Sequence, residues 1–396
     1  MAGVRLLGME APAEVARRAP AGPEQRRPVA SAATLRPALV HRAGQAFVLS
    51  VVWLSARQSG KRLWDVLQAW DARQLLAVAE QGYPDSVEPG SLNSFAFFPG
   101  FPFAARWVAA LPGVSFQVAG VAVSALCGIA LAYGVDRFAA DALGADTAGR
   151  VRAVLMVATM PLSVVFAMPY TEAMFCALAV WSLVCGARDS WPAAGLLAAA
   201  AGLVRPTAAA VVLAVWVGAA LAWRRGRVDG VRAAVAALVA PLGVLGYLGY
   251  VAAATTGDIG AWSESERKGW DTRFDYGAFT WSWLRALFSF GGGAMDGFIV
   301  AGTVVAVLTA AWLLRERIAV PAAVYVLAVT AVALGTSGMW SSKFRFLLPG
   351  LLVAAALAAV RMTGWRASSR LAVLVVWVGT GAWFSAFALV AYRYAI

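Results

Sequence analysis

Five ionisable side chains stand at the borders of long apolar blocks. Asp71 lies in "WDARQLLAVAEQGY", Glu172 in "MPYTEAMF", Arg205 in "GLVRPTAA", and Lys343 and Arg345 in "SSKFRFLLPG". A carboxylate held beside an aromatic at a membrane surface can take a proton from an incoming hydroxyl. Arginine and lysine are the usual donors to phosphate. Each residue also has a plainer reading. Asp71 with Gln74 fits an Asp-x-x-Gln capping pattern for a helix over 72–81 that Gly82 stops. Glu172 can be a first-turn acid favoured by the helix dipole, and the three cations can be snorkelling anchors. Asp65, in "WDVLQ", is a rival to Asp71. In "FAFFPGFP", over 95–102, Pro99 and Pro102 are expected to break regular structure and Gly100 to allow an unusual backbone angle. That block reads either as an interfacial anchor or as a rigid apolar slot for a lipid chain.

The elements that must position these residues are membrane spans. The chain of 396 residues is 61% hydrophobic and 14% charged, where soluble domains carry about 25% charged residues. Its apolar residues fall in blocks close to the roughly 20 residues that cross a bilayer as a helix. An open sheet is excluded there, because unpaired backbone groups in lipid are costly. The expected fold is an all-α polytopic membrane protein. The net charge of +12 does not point to nucleic acid, since the arginines cluster in short runs between apolar blocks. Cys127, Cys176 and Cys185 lie in apolar stretches and read as small core residues without a disulfide framework. The single histidine, His41, argues against a His-based zinc site or a Ser-His-Asp triad. No metal site is expected.

Residues 1–37, rich in Ala, Pro and Arg, read as a disordered basic cytoplasmic tail, and 38–396 as one transmembrane domain. About eleven spans are expected, at roughly 38–57, 113–134, 152–168, 172–187, 191–205, 207–223, 232–254, 297–314, 318–336, 346–361 and 371–392. The short connections at one end carry Arg137, Arg150, Arg152, Arg188, Arg224, Arg225, Arg227, Arg232, Arg315, Arg317, Arg361, Arg366 and Arg370. By the positive-inside rule that end is cytoplasmic. Two long loops, 58–112 and 255–296, then face outward, on the side of the five candidate residues. The second, "WSESERKGWDTRFDYGAFTWSWLRALFSF", alternates in charge and is dense in aromatics. It is expected to form an amphipathic helix in the interface. No internal repeat is evident, which weighs against a repeat-built transporter.

"WDARQLLAVAEQGY" followed by "FAFFPGFP" resembles the signature of the PIG-V family, the GPI mannosyltransferase 2 family, and its bacterial relatives. "PYTEAMFCALAVW", "GLVRPTA" and "KFRFLLPG" are similar to three further family segments, in the same order, over about residues 45 to 360. Gln74 and Leu75 depart from the bulkier or more polar pair that relatives often carry, and the second loop is bare. The resemblance implies a GT-C glycosyltransferase-like bundle with amphipathic helices in the first outer loop. It implies transfer of mannose, or another hexose, from a polyprenyl-phosphate carrier to a lipid-linked glycan, glycolipid or protein hydroxyl. The implied partners are that donor, the acceptor and membrane lipids, with no cofactor, since the lipid-linked sugar is a substrate. It implies Asp71 as general base, with Glu172 as a second catalytic candidate. The matched motifs bring in Trp70, Arg73, Glu80, Tyr83, Phe98, Pro99, Tyr170, Arg205, Lys343 and Arg345 as substrate-binding candidates. The Ala-, Val- and Arg-rich composition suggests a high-GC bacterium, hence a plasma membrane with the site on its extracytoplasmic side. A transporter or flippase of a lipid-linked sugar is the rival class. It is expected to place charged or broken helices near the midplane, whereas these ionisable residues lie at outer helix ends. A purely structural scaffold is a third class, and it has no need of Asp71, Glu172 and Arg205 on one face.

Overall fold

A computed structural model describes residues 32–84, 91–255 and 257–396. The tail read over 1–37 therefore lies, up to residue 31, outside the described residues. The backbone separates into two units, Met1–Leu35 and Arg36–Ile396, and the packing below belongs to the second.

The chain is helical almost throughout. In order come α1 (Ala32–Gln58), α2 (Leu63–Leu67), α3 (Asp71–Gln81), α4 (Gly100–Ala109), α5 (Phe116–Asp141), α6 (Thr147–Ala158), α7 (Glu172–Ala187), α8 (Trp191–Gly202) and α9 (Ala209–Arg224). There follow α10 (Gly230–Val239), α11 (Leu242–Ala254), α12 (Ala261–Trp270), α13 (Ala278–Phe290), α14 (Ala294–Arg315), α15 (Val320–Gly335), α16 (Lys343–Arg361) and α17 (Ala367–Ala386). Seven helices among the described residues are long and apolar enough to cross a membrane: Thr34–Gln58, Phe116–Asp141, Pro206–Arg224, Gly230–Ala254, Ala294–Arg315, Trp340–Gly364 and Ala367–Ala391. Helices α7, α8 and α15 are apolar but shorter; twelve-residue α8 reaches only about 18 Å at 1.5 Å per residue. The expected span over 152–168 is not one helix. α6 stops at Ala158, Leu162 takes a left-handed backbone (φ 66°), and a short 3-10 turn, Ser163–Phe166, follows.

Local signals set many of these bounds. Ser115, Asp146 and Asp229 each accept a backbone N–H of the first turn at the starts of α5, α6 and α10, the usual role of short polar N-caps. Small residues then let helices approach. A Cβ at Gly243 would fall 1.8 Å from the Ala199 carbonyl oxygen, so α11 lies directly on α8, as small-residue packing in lipid permits. Helices α5, α6, α7, α9, α15 and α16 form the continuous apolar core. At the arginine-rich end, Arg152 donates to the Ala359 carbonyl (3.0 Å) and to Thr363 Oγ1 (2.9 Å), and Arg150 pairs with Asp136. The starts of α7, α9 and α16 gather at the opposite end.

The first long loop is structured by α2, α3, a 3-10 turn (Ser91–Ala96) and α4. Gly82 closes α3 with φ 83°, a backbone few other residues adopt. The proline block departs from expectation. Pro99 precedes α4 and Pro102 is buried within its first turn, where a missing N–H breaks no bond. Gly100 is needed for proximity, since its N–H donates to the Leu203 carbonyl at 2.7 Å and a Cβ would sit 2.9 Å from that oxygen. The second long loop forms two helices rather than one. Helix α12 packs on the 3-10 turn and on α11, while α13 leaves Trp281 and Phe288 exposed. The segment between them is pinned to the end of α15: Ser337 N–H donates to the Arg273 carbonyl (2.7 Å) and Asp275 N–H to the Gly335 carbonyl (2.9 Å).

Candidate active site

Asp71 does not cap α3. Trp70 occupies the cap position with φ 53° and ψ −120°, and Asp71 is the first helical residue. A positive φ at a bulky residue costs about 1–3 kcal/mol and persists where the surroundings impose it. Here Tyr170, buried, donates its hydroxyl to the Ala69 carbonyl at 3.2 Å. The turn that presents Tyr170 is fixed in its own right by Ser124, whose hydroxyl donates to the Met168 carbonyl. The outcome is a carboxylate turned away from its own helix end. Asp71 Oδ2 lies 2.6 Å from Arg345 Nη1.

Arg345 starts a network. Its Nε lies 3.5 Å from Glu172 Oε1, and the same Glu172 oxygen pairs with Arg205 Nη1. Glu172 is 1% exposed, Arg345 3% and Arg205 8%, so in the chain Asp71–Arg345–Glu172–Arg205, of two carboxylates and two guanidiniums, all but the half-buried Asp71 are buried. Phe346 covers both cations, 5.4 Å from Arg345 and 5.8 Å from Arg205, and Tyr170 lies under Arg345 at 5.1 Å. Glu172 Oε2 has no hydrogen-bond partner among the described residues, and a buried acceptor of this kind calls for a donor. Arg205 is therefore the holder of Glu172 before it is anything else.

The network forms part of the wall of a cavity of about 360 Å³, whose lining includes Asp71, Glu172, Arg205 and Arg345, within the usual size range of ligand pockets. The apolar wall comprises Phe97, Phe98, Trp262, Trp270, Phe274 and Phe346. Two charged residues singled out by no motif, Glu266 and Arg273, also line it. A signal for Glu266 was present in the sequence: Trp262, Glu266 and Trp270 recur every four residues and so share one face of α12. That face is turned to the cavity instead of lying flat in the interface. Burial pushes the Glu266 carboxyl up to about 7, with the charge of Asp71 adding to the effect and Arg205 and Arg345 opposing it.

Other candidates from the sequence stand elsewhere. Lys343, 1% exposed, donates to the carbonyls of Ala333 (2.8 Å) and Thr336 (2.5 Å). It closes the C-terminus of α15 and does not line the cavity. Tyr83 donates to the Phe97 carbonyl at 2.6 Å and stacks on Phe95; burial raises its phenol pKa. With Tyr247, which also donates to that carbonyl at 2.8 Å, it anchors the Phe block. Pro99 stands at the start of α4 and Trp70 behind Asp71. Arg73 and Glu80 are exposed on α3, and the Glu80 carbonyl accepts from Arg106 at 2.9 Å. Asp65 is exposed on α2. Among the described residues no three His, Cys, Asp or Glu side chains converge to hold a metal ion.

No family model matches the chain, and no curated protein matches it. Among solved structures the fold is similar to the oligosaccharyltransferase of Archaeoglobus fulgidus. The form with Zn and sulfate gives a TM-score of 0.52 at 12% identity, covering 89% of this chain and 53% of that one. The apo form gives 0.50 at 12% identity, covering 90% and 56%. The chain spans about half the length of the solved chains it matches. At such identity the likeness is one of fold, and the fold is a GT-C-like helical membrane bundle.

Proposed function

We propose that the chain is a glycosyltransferase of the extracytoplasmic face of a bacterial plasma membrane. It moves a hexose, mannose by its motifs, from a polyprenyl-phosphate carrier to a hydroxyl of a lipid-linked glycan, a glycolipid or a protein. The observation that carries this is the chain Asp71–Arg345–Glu172–Arg205 on the wall of an aromatic-lined cavity at one end of the bundle. The GT-C-like fold supports the same class.

The chemistry follows from the charges. The acceptor oxygen bonds to the anomeric carbon, the bond from that carbon to the phosphate oxygen breaks, and the sugar inverts. The hydroxyl proton passes to Asp71. Polyprenyl phosphate leaves with the bonding pair and goes from one negative charge to two. Once protonated, Asp71 no longer neutralises Arg345, 2.6 Å away. A positive charge is thus released in the cavity as the phosphate gains its second negative one. Fixed charge aimed at developing charge in a site of low dielectric is the most effective form of electrostatic catalysis. Glu172 Oε2, which has no donor among the described residues, offers an acceptor for a sugar hydroxyl. Phe97, Phe98, Trp262 and Trp270 supply apolar faces for the sugar and the first isoprene units.

The test is transfer of radiolabelled mannose from a polyprenyl-phosphate donor by the purified protein, joined to mass spectrometry of lipids and glycoproteins from a deletion strain. A strain with unchanged glycans, together with no transfer in vitro, refutes the proposal.

A further inference from the structure

Among the described residues, six charged side chains line the cavity: Asp71, Glu172 and Glu266 against Arg205, Arg273 and Arg345. They are not equivalent. Asp71 pairs with Arg345, and Glu172 with Arg205 and Arg345. Those four cancel. Glu266, on α12, has no ion pair with any of the three guanidiniums, and Arg273, nearby in the chain, has none with the three carboxylates. The described lining is therefore neutral when Glu266 is ionised and carries one positive charge when Glu266 is protonated. A phosphodiester carries one negative charge. The protonated cavity matches that ligand, while the ionised one sets a carboxylate against it.

The groups around Glu266 fix its preference. Across the cavity stand Asp71 from α3, Glu172 from α7, Arg205 from the turn before α9 and Arg345 from α16. On α11, against which α12 packs, Tyr247 faces it. On its own helix Glu264 is already paired with Arg267 and Lys268, which are exposed. The cations across the cavity are held by their own carboxylates, so Glu266 is left beside the charge of Asp71 in partial burial.

We propose that Glu266 binds the phosphodiester of the donor lipid as a neutral carboxylic acid, donating its O–H to a phosphate oxygen, so that each anion bound holds one proton in the cavity. Arg273 supplies the unmatched positive charge. This rests on the donor-lipid reading above and assigns a ligand contact to the second long loop, which the sequence motifs leave bare. A carboxyl titrating near 7 in the free protein is then driven to its protonated form by the anion. A carboxylic acid kept neutral so that it can donate is an established device in enzyme sites.

The sign of the pH dependence follows. The anion favours the protonated form, so affinity is full below about pH 7 and falls as pH rises through it. The limit is tenfold per pH unit for one linked proton. The experiment is equilibrium binding of farnesyl-phosphoryl-mannose, whose single charge does not titrate in this range, to the purified full chain from pH 6 to 9. Quenching of tryptophan fluorescence reports it, since Trp262 and Trp270 line the cavity. Wild type is expected to lose affinity by about tenfold between pH 7.5 and 8.5. Glu266→Gln, a permanently neutral donor, is expected to bind as wild type does at pH 6 and to stay flat to pH 9. Glu266→Ala is expected to bind weakly at every pH, with thermal unfolding showing that it is folded. A flat, tight wild-type profile, or a Glu266→Gln variant that binds poorly at pH 6, overturns the inference and leaves the transferase proposal standing. Absence of binding by wild type at any pH overturns both.

Discussion

Replacing Asp71 by Asn removes one charge and almost no volume, and the structure assigns it two separable effects. The first is on stability. Asp71 Oδ2 and Arg345 Nη1 are 2.6 Å apart, with the Arg345 side chain 4% exposed and that of Asp71 21%. A hydrogen bond to a charged group contributes about 1.5–3 kcal/mol and a neutral one about 0.5–1.5. The Asn amide oxygen still accepts from Arg345, and Glu172 Oε1, 3.5 Å from Nε, remains as countercharge. The loss is therefore about 1–2 kcal/mol, a lowered but folded protein. Had Asp71 been a helix cap, the loss would be near zero, since Asn caps as well as Asp. The second effect is on rate. General-base catalysis contributes about 10²–10⁴-fold, or about 3–5 kcal/mol of barrier, which exceeds the stability loss. The assay is sugar transfer at saturating donor, run beside thermal unfolding in detergent. A double-mutant cycle with Arg345→Gln separates the terms. The Asp71→Asn, Arg345→Gln double variant is expected to be more stable than additivity gives, by about 0.5–3 kcal/mol, because no guanidinium is left short of a partner, yet still inactive. Wild-type turnover by Asp71→Asn refutes the base, and additive stabilities refute the ion pair.

Arg205→Ala strips Glu172 of its nearest partner and is expected to cost about 3–5 kcal/mol of stability, as truncating one member of a buried pair does. Adding Glu172→Gln should restore part of it, and both are read by thermal unfolding. Lys343→Met removes the donor to the carbonyls of Ala333 and Thr336, so unfolding should shift by about 1–3 kcal/mol with donor affinity unchanged. Lost donor affinity at unchanged stability would make Lys343 a phosphate ligand instead. Ser263, exposed on α12 and lining the cavity, should, as Ser263→Cys in a background without the three native cysteines, react with a membrane-impermeant thiol reagent in intact cells. Reaction only after permeabilisation would place the cavity on the cytoplasmic side.

Composition alone determined that the chain is a helical membrane bundle, because a backbone in lipid must satisfy its hydrogen bonds within each segment. It also separated an arginine-rich end from an end bearing Asp71, Glu172, Arg205 and Arg345. The stop at Gly82 after α3 was legible too, since it acts within one turn. What Asp71 does at its helix start was not. Capping depends on the backbone of Trp70, and the carbonyl just before it is held by Tyr170, about a hundred residues away. Nor did spacing tell that Lys343 closes α15 while Arg345, two residues on, reaches the cavity. The face of α12 illustrates the limit. Its four-residue period shows that Trp262, Glu266 and Trp270 share a side, but a period carries no information about what that side meets. Whether an apolar face with one acid lies on lipid or closes over a cavity is decided by the segment after it, pinned to the end of α15 through Arg273, Asp275, Gly335 and Ser337. Only tertiary structure brings those residues together, because a backbone N–H bonds to whatever carbonyl packing places within reach, however far apart the two lie in the chain.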